Sequence, residues 1–273
     1  MHYLITGGNG FIGRNLISKL LTDKHTVTIM DSDSDSNPFC ITKDITCGPL
    51  PEFHADILVH LAADVDVRES ILHPTYYINR NILGTLNALE LARSCHYKHF
   101  IFASSVGAPA SESPYSASKI ACEFICNAYR ESYGLSISVL RLSNVYGPHS
   151  LTKGSVIAKF IKQILDNEPI TIIGDGDQTR DFVYTSDVSN AIANANRDLI
   201  TVASGKSYSV NNLAMMLSTI ASELAGLKVK IEYSDPIKGE LRNSECRTDI
   251  FLTVPLKEGL TKTFQWFLDH YER

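Results

Sequence analysis

The chain has 273 residues, of which 44% are hydrophobic and 20% are charged, and its formal net charge at pH 7 is −5. This composition is typical of a globular protein with a large core, and it excludes a disordered chain or a disulfide-held miniprotein. The acidic balance argues against general nucleic-acid binding, and no apolar run reaches the roughly 18 residues of a membrane span. The N-terminus does not resemble a secretory signal, so we expect a cytoplasmic protein.

Short β-rich runs alternate with helical patterns through the first half of the chain. The runs predict strands at 2–6, 26–30, 56–63, 99–105 and 136–143, with helices at 11–22, about 77–95 and 115–133. The strands are almost continuously apolar, which is typical of strands that helices cover on both faces. The alternation therefore predicts an α/β fold with a doubly wound parallel sheet of the Rossmann type.

The pattern of elements changes after about residue 150. Helical patterns are present at 155–167, 186–197, 209–225 and 256–271, and strand-like runs at 170–174 and 229–233. We therefore predict a dinucleotide-binding Rossmann domain over residues 1–150. A later crossover segment, at about residues 175–205, is expected to return to this domain. Residues 151–273 are predicted to form mainly a smaller C-terminal α/β substrate-binding lobe.

A glycine-rich segment, TGGNGFIG, occupies residues 6–13 between the first predicted strand and the first predicted helix. Gly8, Gly10 and Gly13 match the G-x-G-x-x-G spacing, and Gly7, Gly10 and Gly13 match the related G-x-x-G-x-x-G spacing. Glycine allows the tight turn and lets the backbone approach a pyrophosphate at the helix N-terminus. The segment predicts a dinucleotide-binding turn.

Asp31 ends the second predicted strand, about twenty residues past the glycine-rich segment. A carboxylate at this position accepts hydrogen bonds from the ribose hydroxyls and repels a 2′-phosphate, so it favours NAD over NADP. A glycine-rich turn beside an unrelated surface aspartate is the alternative interpretation. The combination of the two features favours NAD.

The sequence YSASK places Tyr115 and Lys119 one helical turn apart, on one face of a predicted helix. A phenol with a pKa of about 10 is a poor base at pH 7, and lowering its pKa to about 7 requires about 4 kcal/mol. A neighbouring ammonium and a positively charged nicotinamide ring would both favour the phenolate. Ser104 and Ser105 end a strand at its carboxyl end, where ligands bind in open α/β sheets. Together these residues predict a catalytic centre rather than a solvated helix face.

These motifs resemble, in their order along the chain, those of the extended short-chain dehydrogenase/reductases. HLAA at 60–63, RLSNVYGP at 141–148 and GDGDQTRDFVYTSDV at 174–188 narrow the resemblance to the NAD-dependent nucleotide-sugar epimerase/dehydratase family, which includes UDP-hexose 4-epimerase. The resemblance extends to about residue 270, because GELRNS and EGLTKTFQWF are similar to the C-terminal lobe of that family. It implies an NAD cofactor and a nucleotide-sugar substrate, most commonly a UDP-sugar.

The resemblance also implies individual roles. Tyr115 would be the catalytic base and acid, Lys119 would bind the nicotinamide ribose and lower the pKa of Tyr115, and Ser105 would hold the reacting O4 of the sugar. The implied cofactor-binding residues are Gly7, Gly10, Phe11, Ile12, Asp31, Asp44, Ile45, Leu61, Ala62, Ala63, Asn81, Tyr115 and Lys119. The implied substrate-binding residues are Ser105, Asn144, Arg180 and Arg242. A forked guanidinium suits a pyrophosphate, although a surface ion pair is the alternative for each arginine.

The residues that follow Ser105 help to choose among the reactions of the family. Dehydratases resemble one another in a Thr-Asp-Glu segment, and decarboxylases in a Glu after the Ser/Thr, whereas this chain has Val106 and Gly107. The resemblance therefore implies a 4-epimerase, which oxidises sugar C4, lets the keto sugar rotate and reduces it on the opposite face. The alternatives are a 4-keto-sugar reductase, another epimerase or dehydratase, and a non-enzymatic NAD-binding regulatory protein.

Other features have plainer explanations. The six cysteines form no C-x-x-C pair, so we predict reduced core residues and no metal site. We expect His60 to be a hydrogen-bonded core histidine, and Tyr76, Tyr77, Trp266 and Phe267 to be packing residues. Two predicted helices carry apolar stripes, formed by Ile82, Leu86 and Leu89 and by Ile120, Phe124 and Ala128. The resemblance implies that these helices form a homodimer interface, and packing within the core is the alternative.

Overall fold

Two compact units make up the protein, whose computed structural model describes residues 1–33, 40–236 and 246–272. The first unit comprises Met1–Leu142 and Ser189–Val202, and the second comprises Ser143–Val188 and Ala203–Arg273. The change of unit after Leu142, before the predicted boundary at residue 150, has a local cause. Ser143 Oγ and Asn144 Nδ2 both donate to the backbone carbonyl of Asp181, 2.8 Å away in each case, in the second unit.

Twelve strands and eight α-helices lie within the described residues. The strands are β1 (His2–Thr6), β2 (Thr26–Asp31), β3 (Cys40–Thr42), β4 (Ile57–His60), β5 (His99–Ser105), β6 (Ile137–Leu142), β7 (Asn144–Tyr146), β8 (Ile170–Ile173), β9 (Thr179–Tyr184), β10 (Leu199–Val202), β11 (Ser207–Ser209) and β12 (Ile231–Ser234). The helices are α1 (Phe11–Thr22), α2 (Val67–Leu72), α3 (Pro74–Ser94), α4 (Pro114–Tyr133), α5 (Val156–Leu165), α6 (Thr185–Ala193), α7 (Val210–Ala225) and α8 (Leu256–His270). No helix in these ranges is long and apolar enough to cross a membrane.

The first unit is built on a seven-stranded sheet in the order β10-β6-β5-β4-β1-β2-β3. Every neighbouring pair in this sheet is parallel. The strand order reverses at β1, so the carboxyl ends of β1 and β4 flank the crevice in which doubly wound sheets bind ligands. The predicted Rossmann-type α/β fold is confirmed.

The core of the first unit follows from the apolar runs of the sequence. All four residues of β4 are buried, and Leu4, Phe100 and Phe102 are fully buried in neighbouring strands. Leu89 from α3 completes one face of this core. Residues 61–63, predicted as part of a strand, leave the sheet after His60. The prediction is wrong there because these residues line the cleft described below.

The second unit is also α/β, as predicted for the C-terminal region. It contains a three-stranded sheet in the order β11-β9-β7 and a two-stranded sheet of β12 and β8. Helices α5, α7 and α8 supply most of its core, and Phe267 is fully buried there, with Trp266 packed against the same cluster. The packing prediction for these two residues is confirmed. Asp187 joins α6 to the chain before α8, because its carboxylate accepts from Thr253 N (3.0 Å) and Oγ1 (2.5 Å).

The cysteines do not all occupy the core. Cys95, Cys122 and Cys126 are buried free thiols, as predicted, whereas Cys47 is exposed. Cys47 follows the short β3 strand in an irregular segment, so no strand or helix turns its side chain inward.

Candidate active site

The turn between β1 and α1 requires glycine because other parts of the backbone pass very close to it. Gly7 has a φ of +72°, and a Cβ on it would lie 2.7 Å from the backbone nitrogen of Ala62. A Cβ on Gly13 would lie 2.4 Å from the carbonyl oxygen of Gly8. The N-terminus of α1 thus opens next to a turn that has no side chain at Gly7, Gly8 and Gly10, which is the arrangement that binds a pyrophosphate.

A cleft of about 360 Å³ lies beside this turn. Its walls are the end of β2, the chain after β3, the chain after β4 and the start of α3. Of the predicted cofactor residues, the cleft brings together Gly7, Gly10, Asp31, Asp44, Ile45, Leu61, Ala62, Ala63 and Asn81. Phe11 and Ile12 lie outside its lining, on the first turn of α1, and Tyr115 and Lys119 belong to a separate cluster on α4.

The cleft also has lining residues that the motifs did not indicate: Asn9, Met30, Ser32, Asp33, Lys43, Thr46, Asp64 and Arg80. Asn9 could have been found, since it lies inside the glycine-rich segment. Asp64 follows HLAA directly, and Arg80 precedes Asn81, but neither belongs to a recognised spacing.

Asp31 is held in place at the end of β2. Its Oδ2 accepts from the backbone N–H of Asn9 (3.0 Å) and its Oδ1 from that of Asp33 (3.3 Å). A carboxylate has about four lone-pair positions, so it can accept further hydrogen bonds from ribose hydroxyls. The glycine-rich turn and the fixed carboxylate fit NAD.

Asn81 anchors one wall of the cleft. This buried side chain accepts from the backbone N–H of Asp64 (2.9 Å) and donates to its carbonyl (3.0 Å). Its Nδ2 also lies 2.9 Å from Ser118 Oγ on α4. Asn81 therefore couples the wall after β4 to the helix that carries Tyr115.

Ser105, Tyr115 and Lys119 meet where β5 ends and α4 begins. The hydroxyl of Ser105 accepts from the backbone N–H of Gly107 (3.2 Å), and its influence on the Tyr115 phenol favours the phenolate. The ammonium of Lys119 is buried, donates to the carbonyl of Ala103 (3.0 Å) and lies 4.9 Å from the centre of the Phe102 ring. The three predicted catalytic side chains thus form one cluster in the first unit.

The ionisation of this cluster differs from the sequence-based expectation. Burial raises the pKa of Tyr115 to about 12, and the hydrogen bond from Ser105 opposes that rise. Burial also lowers the pKa of Lys119. The expected lowering of the phenol pKa is not found here, because the cost of burying the phenolate exceeds the stabilisation from Ser105.

The position of Tyr115 depends on α2, a helix that the sequence analysis did not identify. The backbone N–H of Tyr115 donates to Ser70 Oγ of α2 (3.2 Å). Ser113 caps the N-terminus of α4 by accepting from Ser116 N (3.1 Å), which sets the start of the helix just before Tyr115. Ser104 turns away to Glu123 (2.5 Å), so only Ser105 of the serine pair contacts the tyrosine in this cluster.

Two of the predicted substrate residues, Asn144 and Arg180, lie in the second unit, whereas Ser105 belongs to the first. Asn144 is exposed at the start of β7 and donates to the carbonyl of Asp181, and Arg180 is half-buried on β9 and donates to the carbonyl of Thr179 (2.8 Å). Arg242 lies outside the described residues.

His60 is a core residue, as predicted. Its Nδ1 lies 2.7 Å from Thr6 Oγ1 and its Nε2 lies 3.1 Å from Thr85 Oγ1. Burial, assisted by the charge of Lys119, lowers the pKa of His60 to about 3, so the ring is neutral at pH 7. Tyr77 is likewise buried, but Tyr76 is 51% exposed, and the packing prediction for it is wrong.

A crevice at the reversal point of a parallel sheet, beside a partly buried Ser-Tyr-Lys cluster, is the arrangement of a Rossmann-type dinucleotide-dependent enzyme. Comparison with known proteins identifies the family. The model of the NAD dependent epimerase/dehydratase family matches residues 3–211. The chain therefore belongs to this family and is an NAD-dependent enzyme, as the sequence resemblance implied.

Individual relatives agree with this assignment. The UDP-glucose 4-epimerase of Mycolicibacterium smegmatis is 32% identical over 98% of both chains. The solved structure of UDP-glucose 4-epimerase from Thermotoga maritima, with UDP-glucose, has a TM-score of 0.88 and 29% identity over 100% of both chains. That of UDP-N-acetylglucosamine 4-epimerase from Methanobrevibacter ruminantium M1, in complex with UDP-N-acetylmuramic acid, has a TM-score of 0.86 and 29% identity over 98% of both chains.

Proposed function

We propose that the protein is an NAD-dependent UDP-sugar 4-epimerase that acts on UDP-glucose and UDP-galactose or on their N-acetyl forms. The meeting of Ser105, Tyr115 and Lys119 where β5 ends and α4 begins is the observation that carries this proposal. The two residues after Ser105 are Val106 and Gly107, neither of which has an acidic side chain for an elimination. The named activities of the similar proteins support the same reaction.

The chain's own residues would move one proton. Bound NAD supplies reversible hydride acceptance and return at sugar C4. Tyr115 takes the proton from O4 and later gives it back, while Ser105 orients O4 and stabilises the phenolate by its hydrogen bond. Because burial disfavours the phenolate, the fixed ammonium of Lys119 one turn away supplies compensating positive charge. His60 stays neutral and takes no part.

Asn144 and Arg180 are our proposed ligands of the substrate pyrophosphate, together with Arg242. An arginine fork matches phosphate oxygens in geometry and charge. We accordingly propose that the first unit holds NAD and that the second binds the nucleotide sugar. The proposed cofactor residues are those lining the cleft, together with Phe11 and Ile12 on the first turn of α1 and with Tyr115 and Lys119 on α4, of which Lys119 would hold the nicotinamide ribose.

Proton NMR of the purified protein, incubated with UDP-glucose and separately with UDP-N-acetylglucosamine without added cofactor, tests the proposal. We expect a new anomeric signal from the galacto epimer with at least one of the two substrates, because the reaction returns NAD to its starting state in each turnover. The substrate that reacts identifies the accepted C2 substituent. Unchanged spectra with both, together with oxidation of added NADH by a nucleotide-linked 4-keto sugar, would contradict epimerisation and establish a reductase.

We further propose that the protein is a homodimer formed through α3 and α4. Part of the predicted apolar stripe on α3 belongs to the core and is not available for an interface. Leu89 is fully buried, and Ile82 packs on the core of the first unit. Phe124 remains 70% exposed on α4 and Leu83 42% exposed on α3, and these two helices pack against each other. Exposed aromatic and aliphatic side chains on adjacent helices are typical of a protein interface.

Light scattering of the wild-type protein is expected to give twice the chain mass of 30.2 kDa. Phe124→Glu is expected to give the single-chain mass, because a charge would be buried without a partner in the interface. Met215→Glu is the matched control, since Met215 is 64% exposed on α7 of the second unit. A single-chain mass for the wild type would contradict the dimer.

A further inference from the structure

Arg80 joins two walls of the cofactor cleft through a pair of carboxylates. Its Nε lies 2.7 Å from Asp64 Oδ2, and its Nη1 lies 3.1 Å from Asp44 Oδ2. Asp44 lies in the chain that follows β3, and Asp64 in the chain that follows β4. All three residues line the cleft. A single guanidinium therefore connects the two loops between which the cleft opens.

Helix α3 is the common support of both loops. Asn81 binds the backbone of Asp64 at its N–H and its carbonyl, and Asn87 Nδ2 donates to the carbonyl of Ile45 (2.8 Å). Each asparagine holds one loop, whereas Arg80 holds both at once. The guanidinium also lies over the ring of Tyr76, 5.3 Å from its centre, in a cation–π contact.

Charge gives Arg80 a second effect on the cleft. The described lining carries four carboxylates and two cations: Asp31, Asp33, Asp44, Asp64, Lys43 and Arg80. Hydrogen bonds hold the pKa of Asp44 below its usual range, so this carboxylate is ionised at neutral pH. The larger contribution is from Thr46 and the smaller from Arg80. NAD has an anionic pyrophosphate, and each uncompensated carboxylate in the cleft would repel it.

We propose that Arg80 is a positioning residue for NAD, which fixes the distance between the two walls and partly neutralises the two carboxylates of Asp44 and Asp64. The role requires the planar fork of arginine, because one donor must reach each wall. It rests on the NAD dependence of the family and not on the identity of the sugar, so it can fail or hold independently of the epimerase proposal.

Isothermal titration of the full chain with NAD⁺, after removal of bound nucleotide, tests this role. Arg80→Met is expected to raise the Kd for NAD⁺ about tenfold or more, because both carboxylates lose their partner. Arg80→Lys, which keeps the charge but not the fork, is expected to lie between Arg80→Met and the wild type. Arg93→Met is the matched control, because it breaks a 2.6 Å ion pair with Glu90 on the same helix, outside the cleft lining. We expect it to leave the Kd unchanged.

A rescue experiment separates positioning from general stability. Adding Asp64→Asn to Arg80→Met removes one uncompensated carboxylate and is expected to recover part of the lost affinity, whatever the effect on Tm. A wild-type Kd in Arg80→Met would overturn the proposal, even if Tm fell, since Arg80 would then only stabilise the fold. Loss of affinity without any recovery in the double variant would overturn the neutralising role.

Discussion

Tyr115→Phe is expected to lower the kcat of C4 epimerisation by about 10²–10⁴-fold, the usual contribution of a general acid–base group. The substitution keeps the ring and removes the one oxygen that moves the proton at O4. It also leaves the hydroxyl of Ser105 with its backbone contact to Gly107, so the end of β5 keeps its local anchor. Turnover of UDP-sugar, followed by proton NMR, measures the loss.

Two further measurements make the interpretation of Tyr115→Phe specific. The Kd for NAD⁺ is expected to stay near the wild-type value, because phenylalanine keeps the ring of Tyr115 and removes only the hydroxyl that acts on O4. Tyr133→Phe is the matched control on the same helix, since Tyr133 is 58% exposed at the end of α4, and we expect full activity from it. Wild-type turnover in Tyr115→Phe would refute its catalytic role, and unaltered NAD binding without any turnover in the wild type would favour a regulatory protein.

The sequence predicts those parts of the site that a single short segment encodes. The glycine-rich turn, Asp31 at the end of β2 and the Tyr115–Lys119 pair each depend on the spacing of neighbours within one strand, turn or helix. The sheet is predicted equally well, because its central strands are continuous apolar runs. The edge strands β3 and β10, of three and four residues, are too short to give such a run.

Features that join distant segments could not be predicted in the same way. The Asp44–Arg80–Asp64 connection forms because the loops after β3 and β4 both pass the start of α3, and no spacing in the chain encodes that meeting. The support of Tyr115 by Ser70 also depends on how α2 packs against α4. The charged neighbours of Tyr115 predict a lowered pKa for its phenol. Burial raises this pKa instead, and a sequence does not show how deeply a side chain is buried.

Gly7→Ala is expected to raise the Kd for NAD⁺ by about 100-fold, or about 2.8 kcal/mol of binding free energy, because the turn can no longer pack against the wall after β4. The new Cβ would lie 2.7 Å from the nitrogen and 2.8 Å from the Cα of Ala62, both of them backbone atoms. The turn and the wall after β4 would have to separate by about 0.7 Å before ordinary van der Waals contact, which begins at 3.4 Å, is restored. Titration with NAD⁺ and urea unfolding measure the two consequences.

Gly48→Ala separates this contact from the cost of backbone conformation. Gly48 has a φ of +67°, close to that of Gly7, but a Cβ on it would meet no atom within 4 Å. Gly48→Ala is therefore expected to lower the free energy of unfolding by only about 1–2 kcal/mol, the cost of a left-handed backbone conformation for alanine. We expect it to bind NAD⁺ normally. Gly7→Ala should lose more stability than this control and, unlike it, lose cofactor affinity. Equal losses of stability in the two variants, with NAD⁺ binding intact in both, would show that the close approach of Gly7 to Ala62 is not what forms the cofactor cleft.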